Sequence, residues 1–274
     1  MKSFDQLMIS RRQALSLGLS GVAAFALTAC GGSGSTDSSA SNSGATVYKI
    51  ATDTTFAPFE YAEADGTYVG IDVDLLAAVA ADQGFEYELQ PLGFDAALQA
   101  VQASQADGVI AGMSITDERK EIFDFSEPYY DSTVCAAAKN GSGIKSLDDL
   151  KDKTVAVKTG TMSEKWAESI KEQYGFTTVA FDTSDVMYQD VAAGNTACCF
   201  EDTPVMSYAI STGNVDLKLI AEAASTSEFA TPYGFAVNKG ANAELLSMFN
   251  AGLANVKQNG TYDEIVSKYV QTVE

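Results

Sequence analysis

From residue 47 onward, short hydrophobic runs alternate with longer segments in which apolar residues recur at helical spacing. Short runs of this kind are typical of strands, and the longer segments are typical of helices. The first half of this region predicts strands at 47–52, 85–89 and 108–112, and helices at 70–80 and 96–103. This order of elements predicts a mostly parallel sheet with right-handed crossovers.

The same order of elements starts again at residue 154. The pattern predicts strands at 154–158, 178–181, 197–200 and 233–237. It predicts helices at 163–173, with Ser163 as the N-cap, and at 186–193, 204–211, 242–259 and 261–270. The repetition indicates two lobes, with the chain crossing between them near 132–137 and 225–231.

We therefore predict an α/β fold with two open, mostly parallel sheets joined by two hinge strands. The last two helices are expected to return to the first lobe. Lobe one then comprises residues 47–132 and 231–274, and lobe two comprises residues 133–230.

The first 29 residues carry a pair of arginines, Arg11 and Arg12, followed by an apolar run. The run is shorter than the roughly 20 residues that a membrane-spanning helix needs, and the whole segment is typical of a secretory signal peptide. The arginine pair resembles a twin-arginine export signal. The end of the segment, LTAC, resembles a lipobox in which Cys30 is the lipidated first residue of the mature protein. The alternative is a membrane-anchor helix with an incidental cysteine.

Residues 30–46 are rich in Gly and Ser and contain no aromatic residue, Leu or Ile. Such a segment cannot bury a core and is predicted to be a flexible tether. A lipid on Cys30 followed by this tether is expected to anchor the protein to the outer face of the cytoplasmic membrane.

Composition removes several classes of function. The chain has 17 basic and 37 acidic residues, a net charge of −20, which disfavours a nucleic-acid partner. It has no histidine, which excludes Ser-His-Asp and Cys-His catalysis and His-ligated zinc. Cys135, Cys198 and Cys199 show no CxxC spacing, so neither a metal nor any other cofactor is expected. We interpret these cysteines as buried thiols. A disulfide from Cys135 to one of the adjacent pair remains open.

Ligands of open α/β sheets bind at the carboxyl ends of the strands. Arg119 lies in such a position and is the one arginine that follows the signal segment, which indicates bidentate recognition of a carboxylate or phosphate. The other chemically informative residues at strand ends are Asp53, Phe56, Phe94, Gly112, Ser114, Lys158, Thr161, Met162, Glu201 and Asp202. Together they suit a small zwitterion with a polar side chain. No dinucleotide or P-loop motif is present.

Seven segments carry a resemblance to a known family. They are ATDTTFAPFEY (51–61), GIDVDLLAAVA (70–80), AGMSITDERKEIFDFSEPYY (111–130), VAVKTGTMSEKW (155–166), EDTPV (201–205), YGFAV (233–237) and NGTYDEI (259–265). In this order and spacing they resemble the family 3 extracellular solute-binding proteins of polar amino-acid ABC transporters, and within that family the glutamine-binding proteins. The resemblance implies the periplasmic-binding-protein-like fold.

The resemblance also implies roles at the zwitterionic end of a ligand. Arg119 would bind the α-carboxylate, assisted by backbone N–H groups near Ser114 and Met162. Asp202 would bind the α-ammonium, with the Gly112 carbonyl and the Ser114 hydroxyl as further acceptors. Met162 stands where a small residue is common in the family.

For the ligand side chain, the resemblance implies that Phe56 and Phe94 sandwich its aliphatic part and that Asp53 and Lys158 contact its tip. A carboxamide offers both a donor and an acceptor, which suits this pair. Glutamine binders of this type often carry His where this chain has Glu201. The added carboxylate should disfavour an acidic ligand and favour a cationic one.

The expected function is therefore capture of a polar L-amino acid, glutamine first, by a monomer that delivers it to the membrane permease of an ABC importer. The lobes are expected to close about the crossing segments once ligand has bound. Three alternatives remain: a dehydratase-like enzyme of the same fold acting on a small carboxylate, the ligand-sensing domain of a receptor, and a surface adhesin. The absence of histidine and of a metal-ligand set disfavours the enzyme.

Overall fold

The computed structural model describes residues 46–270. The predicted signal peptide, the predicted lipidation site Cys30 and nearly all of the predicted tether lie outside the described residues. Between residues 46 and 270, no helix is both long enough and apolar enough to cross a membrane.

The first half of the described chain contains the predicted alternation of strands and helices, together with four short strands that its pattern did not predict, at 55–56, 60–62, 68–69 and 123–125. Its elements are β1 (Val47–Thr52), β2 (Thr55–Phe56), β3 (Glu60–Ala62), β4 (Tyr68–Val69), α1 (Ile71–Gln83), β5 (Glu86–Pro91), α2 (Phe94–Gln102), β6 (Gly108–Val109), α3 (Asp117–Lys120) and β7 (Phe123–Phe125).

The second half repeats the alternation. It contains β8 (Val134–Lys139), a 3-10 helix (Leu147–Leu150), β9 (Thr154–Lys158), α4 (Met162–Tyr174), β10 (Thr177–Phe181), α5 (Ser184–Ala193), β11 (Cys198–Asp202), α6 (Thr203–Ser211), β12 (Leu217–Glu222), β13 (Ala236–Asn238), α7 (Ala243–Gln258) and α8 (Thr261–Tyr269).

Two five-stranded sheets share one pattern of strand directions. The first has the order β5-β1-β6-β13-β7 and the second the order β10-β9-β11-β8-β12. In each sheet the first three strands are parallel, and the fourth is antiparallel to both of its neighbours. The mostly parallel α/β fold with two open sheets is thereby confirmed. The antiparallel strand β13 brings the end of the chain back into the first sheet.

Three local predictions differ from the structure. The expected crossing segment 132–137 largely forms β8, because its run of small apolar residues fits a strand that is buried between two neighbours. The predicted strand at 233–237 begins only at Ala236, and Tyr233 instead forms isolated bridges to Ser114 and Tyr130. The predicted N-cap Ser163 is wrong: Thr161 caps α4, and its hydroxyl accepts the amide N–H of Glu164.

Each sheet has its own aromatic and aliphatic core. In the first, Phe235 and Phe249 stack with ring centroids 4.4 Å apart, where α7 packs against the sheet. In the second, Trp166 and Phe176 pack against Phe200 on β11. These cores hold the strand ends rigidly, which is what a binding site at those ends requires.

The cysteines of the second sheet are buried and free. They are Cys135 on β8 and the adjacent Cys198 and Cys199 on β11. Burial raises the pKa of all three thiols, so they are apolar core residues rather than nucleophiles. The interpretation as buried thiols is confirmed.

Candidate functional site

A small cavity lies where the carboxyl ends of parallel strands from both sheets face each other. Its lining is Asp53, Phe56, Phe94, Gly112, Ser114, Arg119, Lys158, Thr161, Met162 and Asp202. Nine of the ten binding residues expected from the sequence thus surround one space, and Thr161 joins them. Side chains of the two halves contact each other across it, so the free volume is only about 10 Å³.

Asp53 and Lys158 form an ion pair across this cavity, and each side chain is only 1% exposed. Asp53 follows β1 of the first sheet, and Lys158 ends β9 of the second. The Lys158 ammonium also donates to Ser184 Oγ at 3.3 Å and lies 4.8 Å from the centre of the Phe56 ring. Burial opposes its charge, but the carboxylates of Asp53 and Glu201 outweigh burial and raise the pKa of Lys158. The ammonium therefore stays charged.

Glu201 does not line the cavity. Successive side chains of a strand point to opposite faces, so Asp202 faces the cavity while Glu201 faces α5. Glu201 Oε2 accepts hydrogen bonds from Ser184 Oγ at 2.8 Å and Tyr188 OH at 2.9 Å, and Oε1 accepts one from the Asp202 amide at 2.9 Å. The sequence predicts that Glu201 contacts the ligand directly. In the structure Glu201 reaches the cavity only indirectly, because Ser184 is hydrogen-bonded to both Glu201 and Lys158.

Arg119, on the single turn of α3, is buried at the opposite end of the cavity. Its guanidinium donates to the Ser114 carbonyl at 2.9 Å and to the Gly160 carbonyl at 3.0 Å. Its Cζ lies 5.3 Å from the centre of the Phe94 ring. Burial lowers the pKa of Arg119 to about 10, against the opposing effect of Asp202, so the group is cationic at neutral pH. A fixed, planar, desolvated fork of this kind binds a carboxylate well.

Asp202 ends β11 and offers an unused acceptor. Its Oδ2 accepts the hydroxyl of Tyr233, whereas its buried Oδ1 has no hydrogen-bond partner among the residues that the structure describes. Burial and then the neighbouring Glu201 raise the pKa of Asp202 to about 7, although Tyr233 and Arg119 lower it. A buried acceptor without a donor is costly, so this atom is prepared for a ligand N–H.

Gly112 allows the Phe56 ring to approach the backbone. A Cβ at this position would lie 2.3 Å from Phe56 Cε1, and the backbone has φ +53. Its amide N–H donates to Asp72 Oδ2 at 2.8 Å, which holds the turn in place. Any side chain here would displace the aromatic wall of the cavity.

The N-terminus of α4 reaches the cavity through Met162, its first residue. The Thr161 hydroxyl accepts the Glu164 amide at 3.2 Å and donates to the Lys158 carbonyl at 2.7 Å. The free amides of this first turn favour an anion.

Sequence reasoning missed two contributors to the site and gave a third, Thr161, no ligand role. Thr161 was placed at a strand end, and its type is a preferred N-cap, so a signal existed. Ser184, which contacts Lys158, and Tyr233, which contacts Asp202, lie 26 and 31 residues from those partners. No local pattern connects such pairs.

Residues 48–272 match the family described as bacterial extracellular solute-binding proteins, family 3. The chain belongs to this family. Members are solute-binding proteins and not enzymes, and the expectation that the chain is not an enzyme is confirmed on that ground. Among residues 46–270, no group of three or more His, Cys, Asp or Glu could hold a metal ion.

Relatives within the family are named as amino-acid binders. The Arginine-binding extracellular protein ArtP of Bacillus subtilis is 34% identical over 246 residues, covering 89% of this chain and 92% of the relative. The Lysine/arginine/ornithine-binding periplasmic protein of Escherichia coli is 32% identical over 225 residues, covering 81% and 86%.

Solved structures of family members share the fold. An ancestral arginine-binding protein bound to arginine has a TM-score of 0.74 at 36% identity, covering 81% of this chain and 97% of that one. Substrate binding domain 2 of GlnP from Lactococcus lactis, in an open conformation, has a TM-score of 0.56 at 42% identity, covering 84% and 99%.

Proposed function

We propose that this family 3 solute-binding protein captures a free polar L-amino acid, glutamine first, and delivers it to the permease of an ABC importer. One observation carries the proposal. A buried guanidinium, Arg119, and a buried carboxylate with a free oxygen, Asp202, line the same cavity between two sheets. The amino-acid-binding relatives support the ligand class.

The two charged groups match the two ends of a zwitterion. The Arg119 fork binds the α-carboxylate, supported by backbone N–H groups near Ser114 and Met162. Asp202 Oδ1 accepts an N–H of the α-ammonium, with the Gly112 carbonyl and the Ser114 hydroxyl as further acceptors. Each bond is charge-assisted and shielded from water, which makes it stronger than its counterpart at the surface.

The remaining cavity residues select the ligand side chain. Phe56 and Phe94 pack on its aliphatic part, and the Asp53–Lys158 pair meets its polar tip. Lys158 lines the cavity and stays charged, whereas Glu201 lies behind it. A cationic side chain would therefore face a buried ammonium, which is costly. A carboxamide can accept from Lys158 and donate to Asp53, so glutamine is favoured over arginine even though several relatives are named for arginine.

Calorimetric titration of the purified domain against the twenty amino acids tests the proposal. Glutamine should bind most tightly, and Lys158→Met should reduce its advantage over other amino acids more than it lowers thermal stability. Preference for arginine or lysine would refute the proposal that the Asp53–Lys158 pair selects glutamine. It would not affect the proposal that Arg119 and Asp202 bind the α-carboxylate and the α-ammonium. Absence of binding by every amino acid would refute the function itself.

We also propose that the protein is exported as a monomer and anchored by a lipid on Cys30. The LTAC end of the apolar segment and the Gly/Ser-rich stretch after it support this. Cys30→Ser should move the protein from the membrane fraction to the medium without changing amino-acid binding. Equal membrane retention of this variant and the wild type would contradict the anchor.

A further inference from the structure

Two carboxyl groups lie buried behind the cavity and have no role in the proposed ligand contacts. Glu60 belongs to β3, and Asp72 to the first turn of α1; both are 0% exposed. Each carboxyl affects the pKa of the other, and the two residues lie where β3 and α1 pack together. Their placement next to Gly112 connects them to the binding site.

Most of their oxygens lack a protein donor. Glu60 Oε1, Glu60 Oε2 and Asp72 Oδ1 are buried and have no hydrogen-bond partner within the described part of the chain. Asp72 Oδ2 accepts two bonds, from the Gly112 amide at 2.8 Å and from Tyr129 OH at 2.7 Å. Neither carboxyl forms an ion pair with a described Lys or Arg, and the nearby Lys158 pairs with Asp53 instead.

One proton held between Glu60 and Asp72 would satisfy two of these unpaired oxygens. Two adjacent carboxylates in an apolar site cannot both be ionised without a large penalty. If Glu60 is protonated, its hydroxyl can donate to Asp72 Oδ1, and two of the orphaned groups are satisfied together. Burial first, and then the charges of Asp72 and Asp53, raise the pKa of Glu60 well above its ordinary value, while Lys158 opposes them. Burial raises the pKa of Asp72 to about 6, against the bonds from Gly112 and Tyr129.

We propose that Glu60 and Asp72 share one proton and thereby act as positioning residues for the amino-acid site. The inference rests on the proposed function, whose ligand site includes Gly112 and Asp202. Asp72 holds the Gly112 turn against Phe56. It also holds the Tyr129 hydroxyl, and the Tyr129 ring packs on Tyr233, the residue that donates to Asp202, with centroids 6.3 Å apart.

The groups around Glu60 and Asp72 determine how ligand binding should change with pH. The titratable groups that face the pair are Asp53, Lys158, Tyr129 and Tyr262. The helix α7, which packs on α1, contributes the apolar side chains Leu245, Phe249, Leu253 and Val256. Lys158 is the one cation in this set, and Asp53 neutralises it. Loss of the shared proton therefore leaves a second buried negative charge without compensation, which should displace the Gly112 turn and weaken ligand binding at alkaline pH.

The variant Glu60→Gln isolates this proton. Its amide N–H can donate to Asp72 and does not titrate. We propose measuring glutamine affinity by calorimetry for wild type and E60Q from about pH 6 to about pH 10, a range that extends above the ordinary carboxyl pKa. The ratio of the two dissociation constants cancels the titration of the ligand and of Asp202. The dissociation constant of the wild type divided by that of E60Q should be near one at the acidic end. It should rise by about tenfold per pH unit once the pair loses its proton, because the wild type then binds more weakly.

Glu63→Gln is the matched control, because Glu63 follows the same strand and is exposed. Its affinity should follow that of the wild type at every pH. A constant ratio for E60Q across the range would overturn the positioning role.

A second measurement addresses the proton directly. The infrared carbonyl band of a protonated carboxylic acid should be stronger in the wild type than in E60Q at neutral pH, and the contribution of Asp202, which is the same in both proteins, cancels in the difference spectrum. If E60Q does not fold, Asp72→Asn replaces it, since one ionisable carboxyl then remains beside an amide donor and the alkaline loss of affinity should disappear. Absence of the band from the difference spectrum would refute the shared proton. Absence of amino-acid binding at every pH would refute the proposed function and the positioning role while the band still reports the proton.

Discussion

Asp202 concentrates the chemistry of the proposed site in one side chain. It is buried, it is held by Tyr233 through one oxygen, and its other oxygen is free. Its pKa of about 7 means that the unliganded carboxyl is about half protonated at neutral pH. An ammonium group stabilises only the ionised form, so ligand binding and proton release are linked.

We expect affinity for the amino acid to fall as the pH drops below about 7. Below the pKa of about 7, the carboxyl must lose a proton before it can bind the ammonium, and the cost approaches about tenfold in affinity per pH unit. Calorimetry near pH 6 in buffers of different ionisation enthalpy should show proton release on binding. Binding without proton release would contradict the assignment of Asp202 to the ammonium.

Arg119→Lys should weaken binding although it keeps the positive charge. Lysine loses the planar fork that now bonds the carbonyls of Ser114 and Gly160, and the expected loss is about 2–5 kcal/mol. Lys120→Ala is the control, because Lys120 is the exposed neighbour on the same turn. Near-normal affinity of the Arg119 variant in calorimetry would show that Arg119 does not bind the α-carboxylate of the ligand.

At the scale of elements, helix N-termini bring backbone donors to the cavity. The amides at the start of α4 are presented by the N-cap Thr161, which also bonds the carbonyl of Lys158. An equivalent cap starts α5, where the Thr183 hydroxyl accepts the Val186 amide, but Thr183 does not line the cavity. The two caps therefore form a natural pair for experiment.

Thr161→Ala and Thr183→Ala should each lower the free energy of unfolding by about 1 kcal/mol, since each removes an N-cap. Only the first should also weaken amino-acid binding, because only Thr161 fixes the turn that carries the cavity amides and Lys158. Chemical denaturation and calorimetry on both variants check this. Equal affinities in the two variants would show that the cap of α4 has no part in binding.

At the scale of the whole molecule, polar contacts join the first sheet's side of the cavity to the second. They include the ion pairs Asp53–Lys158 and Glu118–Lys165 and the hydrogen bonds from Arg119 to Gly160 and from Tyr233 to Asp202. With so little free volume between them, an amino acid can enter only if the two sides separate. Hinge closure about two crossing segments is an established form of motion for binding proteins of this architecture.

Small-angle scattering should show a smaller radius of gyration with saturating glutamine than without it. Ligand favours the closed form only through contacts that it gains there, so Asp202→Ala should compact less at saturation. Glu172→Ala, an exposed change on α4 away from the cavity lining, should compact like the wild type. An unchanged radius on binding would count against the hinge.

Local patterns along the chain were enough to predict most of the elements and the residues at strand ends. Strand β9 and its terminal Lys158 follow directly from a short buried run, and the topology rule for α/β sheets then places Asp53 and Arg119 at the same edge. These predictions succeed because periodicity and strand direction act over a few residues.

Only the tertiary structure decided what depends on contacts between distant segments. The side of β11 that Glu201 faces depends on where that strand ends and on the packing of α5 against it. The pairing of Tyr233 with Asp202 requires the chain to return to the first sheet after 31 residues. Glu60 and Asp72 look like ordinary surface carboxylates in the sequence. They share a buried site because β3 and α1 pack together, and burial, which no local pattern records, then changes their protonation.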